Sequence, residues 1–201
     1  MRYAYTLLAP IYDWVVAAAS QNWRQDSLAA LAAMPTGVHG KRILIAGIGS
    51  GLDIPYLPQG GSYAGLDITP AMLRRARARA QQCDRQIELQ QADVMALPYA
   101  DASFDAVVMH LIVAVVPDAE RALREAARVL KPGGRIFILD KFLRPGQRAP
   151  LRRMLSPLLG RIATRMDVVF EQVLATVPSL QVVCDVALNG GWFRRIELQK
   201  I

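Results

Sequence analysis

Ile43-Leu44-Ile45-Ala46-Gly47-Ile48-Gly49-Ser50-Gly51 is the stretch on which the fold turns. Four apolar residues in a row read as a strand covered on both faces, and they run into a turn with glycine at every second position. Glycine there permits positive φ and leaves main chain bare for a ligand to lie against. A buried strand followed by a Gly-rich turn is how doubly wound α/β folds hold a nucleotide-like ligand at the carboxyl edge of the sheet. The spacing alone also occurs in ordinary tight turns, so the chain downstream must decide.

Outward from this stretch, strands and helices alternate. Ser62 to Asp67 reads as a second strand, after a short helix through Ile54-Pro55-Tyr56-Leu57. Thr69 and Pro70 open a helix to about Ala80, with Met72, Leu73 and Ala76 inward and Arg74, Arg75, Arg77 and Arg79 on a solvated face. Ile87 to Gln91 and Phe104 to Met109 give two more strands, and Glu120 to Leu130 an amphipathic helix. Lys131-Pro132-Gly133-Gly134 stops that helix before a fifth strand, Arg135 to Leu139. Leu180 to Val186 and Trp192 to Leu198 close the chain as a hairpin across Asn189-Gly190-Gly191.

The pattern predicts an α/β, Rossmann-like three-layer sandwich around a mostly parallel seven-stranded sheet with an antiparallel closing hairpin. Before the sheet, Tyr5, Leu8, Tyr12, Val15 and Val16, and then Leu28, Leu31 and Ala32, recur at helical spacing. They predict an N-terminal helical lid over the ligand site. One domain over 1–201 is expected: the lid in 1–40, a ligand-binding core in 41–140, a substrate-side insert in 141–179 and closing strands in 180–201.

At 201 residues, 53% hydrophobic and 20% charged, the chain is long and apolar enough to bury a substantial core. Two cysteines without CxxC spacing and two histidines, His39 and His110, argue against a disulfide framework and a zinc site. A net charge of +7 suits an anionic partner or an arginine-rich composition. Arg2 precedes an apolar run, but Pro10 and Asp13 interrupt it, so it is read as retained. A cytoplasmic protein, at most peripheral at the inner membrane surface, is expected.

Three side chains fall where strands end. Asp67 can accept hydrogen bonds from both ribose hydroxyls of a nucleoside. Asp93 can accept from an exocyclic adenine amine while the Val94 amide donates to a ring nitrogen. His110 stands at the foot of the same crevice.

With these residues in register, the chain resembles the class I S-adenosylmethionine-dependent methyltransferases. The resemblance is carried by ILIAGIGSG, GLDITPAML, QQADVMALPYADASFDAVV and REAARVLKPGGRIFILD. It implies that Gly47, Ile48, Gly49 and Gly51 border the methionine part of S-adenosyl-L-methionine, with His110 nearby. Asp67 would bind ribose, Ile68 or Met72 would pack on adenine, and Asp93 and Val94 would read its edge. The family usually carries Glu or Asp at the end of the first strand, where this chain has Ala46. That loss removes a hydrogen-bonding group beside the cofactor's charged end, which leaves a non-catalytic cofactor-binding or interaction protein as the alternative of another class.

Within the superfamily, APIYD and AVVPDAERALREAARVLKPGG are similar to bacterial phosphatidylethanolamine N-methyltransferases and to quinone-biosynthesis C-methyltransferases. Gly51-Leu52-Asp53-Ile54-Pro55 and Val115-Val116-Pro117-Asp118 lean toward the former. Over 148–166, Met154, Leu155, Leu158, Leu159, Ile162 and Met166 would share one helical arc rimmed by Arg152, Arg161 and Arg165, as on a helix lying against anionic lipid. Pro157 interrupts it. The expected partners are a small-molecule or lipid acceptor and an anionic membrane surface, with nucleic acid disfavoured. An amine acceptor must be neutral to attack, and His110, Tyr5 and Tyr12 are the candidates for taking its proton.

Overall fold

The computed structural model describes residues 20–144, 146 and 168–201. Tyr5, Tyr12, most of the lid and the apolar arc over 148–166 lie outside these residues.

Residues 20–32 form helix α1. The predicted strands follow as β1 (Arg42–Ala46), β2 (Ser62–Asp67), β3 (Ile87–Gln91), β4 (Phe104–His110), β5 (Leu130–Asp140), β6 (Leu180–Leu188) and β7 (Phe193–Lys200). Helices α2 (Pro70–Gln82), α3 (Ala119–Val129) and α4 (Phe170–Ala175) lie between them. The sheet runs β3-β2-β1-β4-β5-β7-β6. β1 to β5 are parallel, and β7 runs antiparallel to both its neighbours. The chain winds outward from β1 to β3 and then returns to β4 on the other side of β1. The strand order therefore reverses between β1 and β4, which opens a crevice beyond their carboxyl ends.

Because strand side chains alternate faces, the apolar runs serve two cores. Ile43, Ile45, Ala106, Val108 and Phe137 meet Leu28 and Leu31 of α1 and Leu73, Ala76 and Ala80 of α2 on one face. Leu44, Ala46, Val107, Met109, Ile136 and Ile138 meet Leu123 and Ala126 of α3 and Phe170 and Val173 of α4 on the other. Removing any one of these larger aliphatic side chains to Ala would cost about 2–5 kcal/mol.

Three expectations are corrected locally. Ala32 is exposed, because the inward stripe of α1 runs through Leu28 and Leu31, and Met34, just past the helix, is the next buried side chain. Lys131–Gly134 does not separate helix from strand; it forms a bulge in β5, whose register against β4 jumps from Phe104↔Leu130 to Ala106↔Arg135. A Cβ on Gly134 would sit 2.8 Å from the Asp105 carbonyl oxygen, so the bulge needs glycine for close main-chain approach. Arg79 turns inward from the solvated face: its Nη1 donates to the Ser50 carbonyl and brackets the glycine turn against α2.

Candidate functional site

A cavity of about 310 Å³ opens at the carboxyl ends of the central strands, bordered by the glycine turn, Asp67, Met72, Asp93, His110 and the 111–117 segment. It is of the size that small-molecule sites have. The turn is shaped by what approaches it. At Gly47 (φ +78°) a Cβ would come 2.6 Å from Ile112 Cγ1, and at Gly51 (φ +80°) it would come 2.5 Å from Ile54 Cδ1 and 3.1 Å from Ala76 Cα. Gly49 faces open space, with nothing within 4 Å of where its Cβ would be. Bare main chain thus meets the cavity between two positions closed to any larger residue.

At one end of the cavity stand two carboxylates braced by backbone amides. Asp67 Oδ2 accepts from the Gly49 amide at 3.0 Å, and Oδ1 from the Thr69 amide at 2.8 Å. These bonds tie the glycine turn to the end of β2. Burial pushes the Asp67 carboxyl up, and the two amides only partly offset it. A carboxylate has about four acceptor sites, so beside these two amides and the Thr69 side chain Asp67 keeps acceptor capacity for a ligand hydroxyl. Asp93 Oδ1 accepts from the Met95 amide at 2.8 Å, a local turn that sets the carboxylate on the cavity wall beside the buried Val94. Ile68, 48% exposed at the rim, and the buried Met72 offer apolar surface for a flat ring.

The other end is built from side chains brought together over long stretches of sequence. Arg24 Nη1 donates to Asp53 Oδ1 at 2.7 Å, and Arg24 Nε to Ser20 Oγ at 3.0 Å. His110 Nδ1 meets the same Asp53 oxygen at 2.8 Å, and its Nε2 meets Ser27 Oγ at 2.9 Å. Burial would raise the Asp53 carboxyl, but the Arg24 and His110 charges and hydrogen bonds outweigh it and hold the group far below the usual carboxylate range. Ser27, His110 and Asp53 are joined in the order of a hydrolytic triad. Ser27, however, is fully buried on α1 and absent from the cavity wall, so it is no nucleophile. With both ring nitrogens engaged, His110 links α1 to the foot of the glycine turn.

The segment after β4 walls the cavity with Leu111, Ile112, Val115, Val116 and Pro117. Leu111 takes φ +56°, a left-handed conformation that costs a leucine on the order of 1 kcal/mol and is held by its N–H, which donates to Leu139 O at 2.7 Å. Asp140, fully buried at the end of β5, accepts from the Ala114 amide at 2.9 Å and the Lys141 amide at 2.8 Å. Burial drives its carboxyl upward despite these bonds.

Of the residues singled out from sequence, Gly47, Ile48, Gly49, Asp67, Ile68, Met72, Asp93, Val94 and His110 border one cavity. Gly51 packs behind it, against α2. Arg24, Asp53, Ser27 and Asp140 escaped sequence reasoning. One signal was present: Ser20, Arg24 and Ser27 share the helical stripe of Leu28 and Leu31, and polar residues on a buried stripe require partners. Ala46 is packed in the core with Leu44, leaving Asp53 as the buried carboxylate beside the turn.

Comparison with known proteins agrees with this architecture. A family profile described as a methyltransferase domain matches residues 44–138. A phosphatidylethanolamine N-methyltransferase from Cereibacter sphaeroides is 32% identical over 94% of this chain and 93% of its own length. A demethylmenaquinone methyltransferase from Thermus thermophilus is 35% identical over 66% of this chain and 62% of its own. Among solved structures, the [4+2]-cyclase SpnF superposes with a TM-score of 0.69 at 18% identity, covering 88% of this chain and 79% of that one. That last likeness is one of fold alone, and one scaffold can carry different chemistries.

Proposed function

From the premise that the chain belongs to the class I S-adenosylmethionine-dependent methyltransferases, we propose that it methylates the amine of an ethanolamine phospholipid at a membrane surface. The observation that carries the cofactor half of this reading is Asp93, Asp67 and the bare main chain at Gly49 standing on one cavity in the order of their strands, with both carboxylates keeping acceptor capacity toward it. We assign Asp67 to the ribose hydroxyls, Ile68 and Met72 to the faces of adenine, and Asp93 and the Val94 amide to its edge. Gly47, Ile48, Gly49 and Gly51 shape the main chain along the methionine tail.

The cofactor supplies a sulfonium methyl group already activated for in-line displacement. The residues of this chain have the remaining tasks of binding, orientation and exclusion of water. The apolar wall from Ile112 to Pro117, held by Asp140, keeps the acceptor side dry, and a dry surrounding disfavours the ammonium form of an amine. His110 is a positioning residue in this scheme, since Asp53 and Ser27 already engage its ring. Proton acceptance is left to Tyr5 or Tyr12.

The acceptor assignment rests on the likeness to the phosphatidylethanolamine enzyme, which spans nearly all of both chains, and on the net charge of +7, which suits an anionic bilayer. No helix among the described residues is long and apolar enough to cross a membrane. A quinone ring is the second reading, favoured by the demethylmenaquinone relative.

The test is transfer of a radiolabelled methyl group from S-adenosylmethionine by the purified protein, offered phospholipid extract, quinone precursors and RNA in parallel. Label in ethanolamine lipid is expected; label only in the quinone fraction would replace the first reading by the second. Sedimentation with anionic liposomes at low salt should carry the protein into the pellet, and a protein left in the supernatant would remove the membrane from the proposal.

A further inference from the structure

The Arg24–Asp53 pair is nine-tenths buried, at 6% and 3% exposure, yet both residues border the cavity. An ion pair that served only the fold would be expected to satisfy all its polar atoms within the protein. This one does not. Arg24 uses Nε on Ser20 and Nη1 on Asp53, while Asp53 uses Oδ1 on both Arg24 and His110. Arg24 Nη2 and Asp53 Oδ2 have no hydrogen-bond partner among the described residues. Neither belongs to the sealed, partnerless side-chain atoms, which among the described residues are Glu171 Oε2 and Arg194 Nη1. Toward the described residues, a guanidinium edge and a carboxylate oxygen are therefore left open side by side on the cavity wall.

Their place in the fold says what they would meet. Crossing the sheet edge from β3 to β4 passes Asp93, Asp67, the glycine turn and then His110 with Asp53 and Arg24. Those three strand spacings amount to about 14 Å, enough to lay a nucleoside at one end and an amino-acid tail at the other. The tail carries an ammonium and a carboxylate on one carbon. We propose that Arg24 and Asp53 together form the receptor for this zwitterion, Arg24 Nη2 donating to the carboxylate and Asp53 Oδ2 accepting from the ammonium. The assignment rests on the cofactor reading above, and it gives Asp53 the task left open where the first strand ends in Ala46.

The pair is pre-organised for it. Ser20 fixes the guanidinium through Nε, and His110, itself held by Ser27, fixes the carboxylate through Oδ1. Arg24 and Asp53 carry opposite charges, so neither stands unpaired in the wall in the absence of a ligand. A guanidinium suits the carboxylate because its planar fork directs the second amino group outward while the first stays bonded to Asp53.

Calorimetry with two ligands tests the assignment: S-adenosylhomocysteine, which has the zwitterion, and 5′-methylthioadenosine, which lacks it. In Asp53→Asn and Arg24→Lys, affinity for S-adenosylhomocysteine should fall about tenfold or more, the scale of a charged hydrogen bond. Affinity for 5′-methylthioadenosine should change by less than about twofold. Equal losses for both ligands would reduce the pair to a structural role and overturn the proposal, as would an unchanged affinity for S-adenosylhomocysteine. A second arm needs no variant: the wild-type protein should bind decarboxylated S-adenosylhomocysteine about tenfold more weakly than the intact compound, and equal affinity would overturn the role of Arg24. Failure of the wild-type protein to bind either adenosine ligand would instead bring down the cofactor reading on which the receptor depends.

Discussion

The two ends of the cavity are built in opposite ways. At the β2–β3 end, Asp67 and Asp93 are held by main-chain amides two residues away, at Thr69 and Met95, with Gly49 the single long-range contributor. At the β4 end, Asp53 is held by Arg24 and His110, 29 and 57 residues away in sequence. The first end is a set of turns that carry carboxylates with them. The second exists only when α1, the glycine turn and β4 have docked. A local turn survives small shifts of its surroundings, whereas a buried ion network depends on every element that supplies a member.

The greatest effect is expected where that contrast is sharpest. Arg24→Ala leaves the Asp53 charge buried with only His110 beside it, and should lower stability by about 3–5 kcal/mol, measured by urea unfolding; a loss under about 1 kcal/mol would show that the network is not integral to the fold. Gly47→Val drives a side chain into Ile112 from a left-handed backbone and should cost about 1–3 kcal/mol from overpacking alone. Circular dichroism during thermal unfolding would record it as a lowered midpoint. Asp67→Ala should act on the ligand more than on the fold, weakening cofactor binding by about 1.5–3 kcal/mol in calorimetry. An unchanged affinity would place the ribose elsewhere.

The smallest effect, and the most discriminating, is one of sign. Asp53 is held below the usual carboxylate range in the folded protein, so its stabilisation is full at neutral pH. It is lost as acid takes the pH below the ordinary carboxylate value and down through the folded one. Asp67 is raised, so the folded state takes up its proton first, and acidification through that window favours folding. Cofactor affinity should fall in the same window, because a protonated Asp67 is a poorer acceptor for two hydroxyls. Unfolding free energies against pH should therefore decline less steeply in acid for Asp53→Asn than for wild type. For Asp67→Asn they should decline more steeply, and its cofactor affinity should lose the acid dependence. Asp140 is also raised by burial and adds to the Asp67 trend in every variant, so the comparison is made by difference.

Much of the first end was legible in the chain. Apolar runs mark strands because a sheet covered on both faces has no polar side, and a carboxylate just after such a run must stand at the sheet edge. Asp67, Asp93 and the glycines needed nothing more. Arg79 sits at an ambiguous helical position, and only the nearness of Ser50 draws it in. The predicted break at Lys131–Gly134 became a bulge because β5 continues pairing on both sides of it.

What the sequence determined by itself is the alternation of buried strands and amphipathic helices, and with it the crevice and the groups placed there by local turns. These follow from periodicity and short-range hydrogen bonding, both of which are written within a few consecutive residues. What only the tertiary structure decided is the charged end of the cavity: that an arginine on α1, an aspartate after the glycine turn and a histidine closing β4 share one oxygen. No local rule relates those positions, because charges and hydrogen bonds attract strongly only where water is excluded, and water is excluded only after the helix has packed on the sheet.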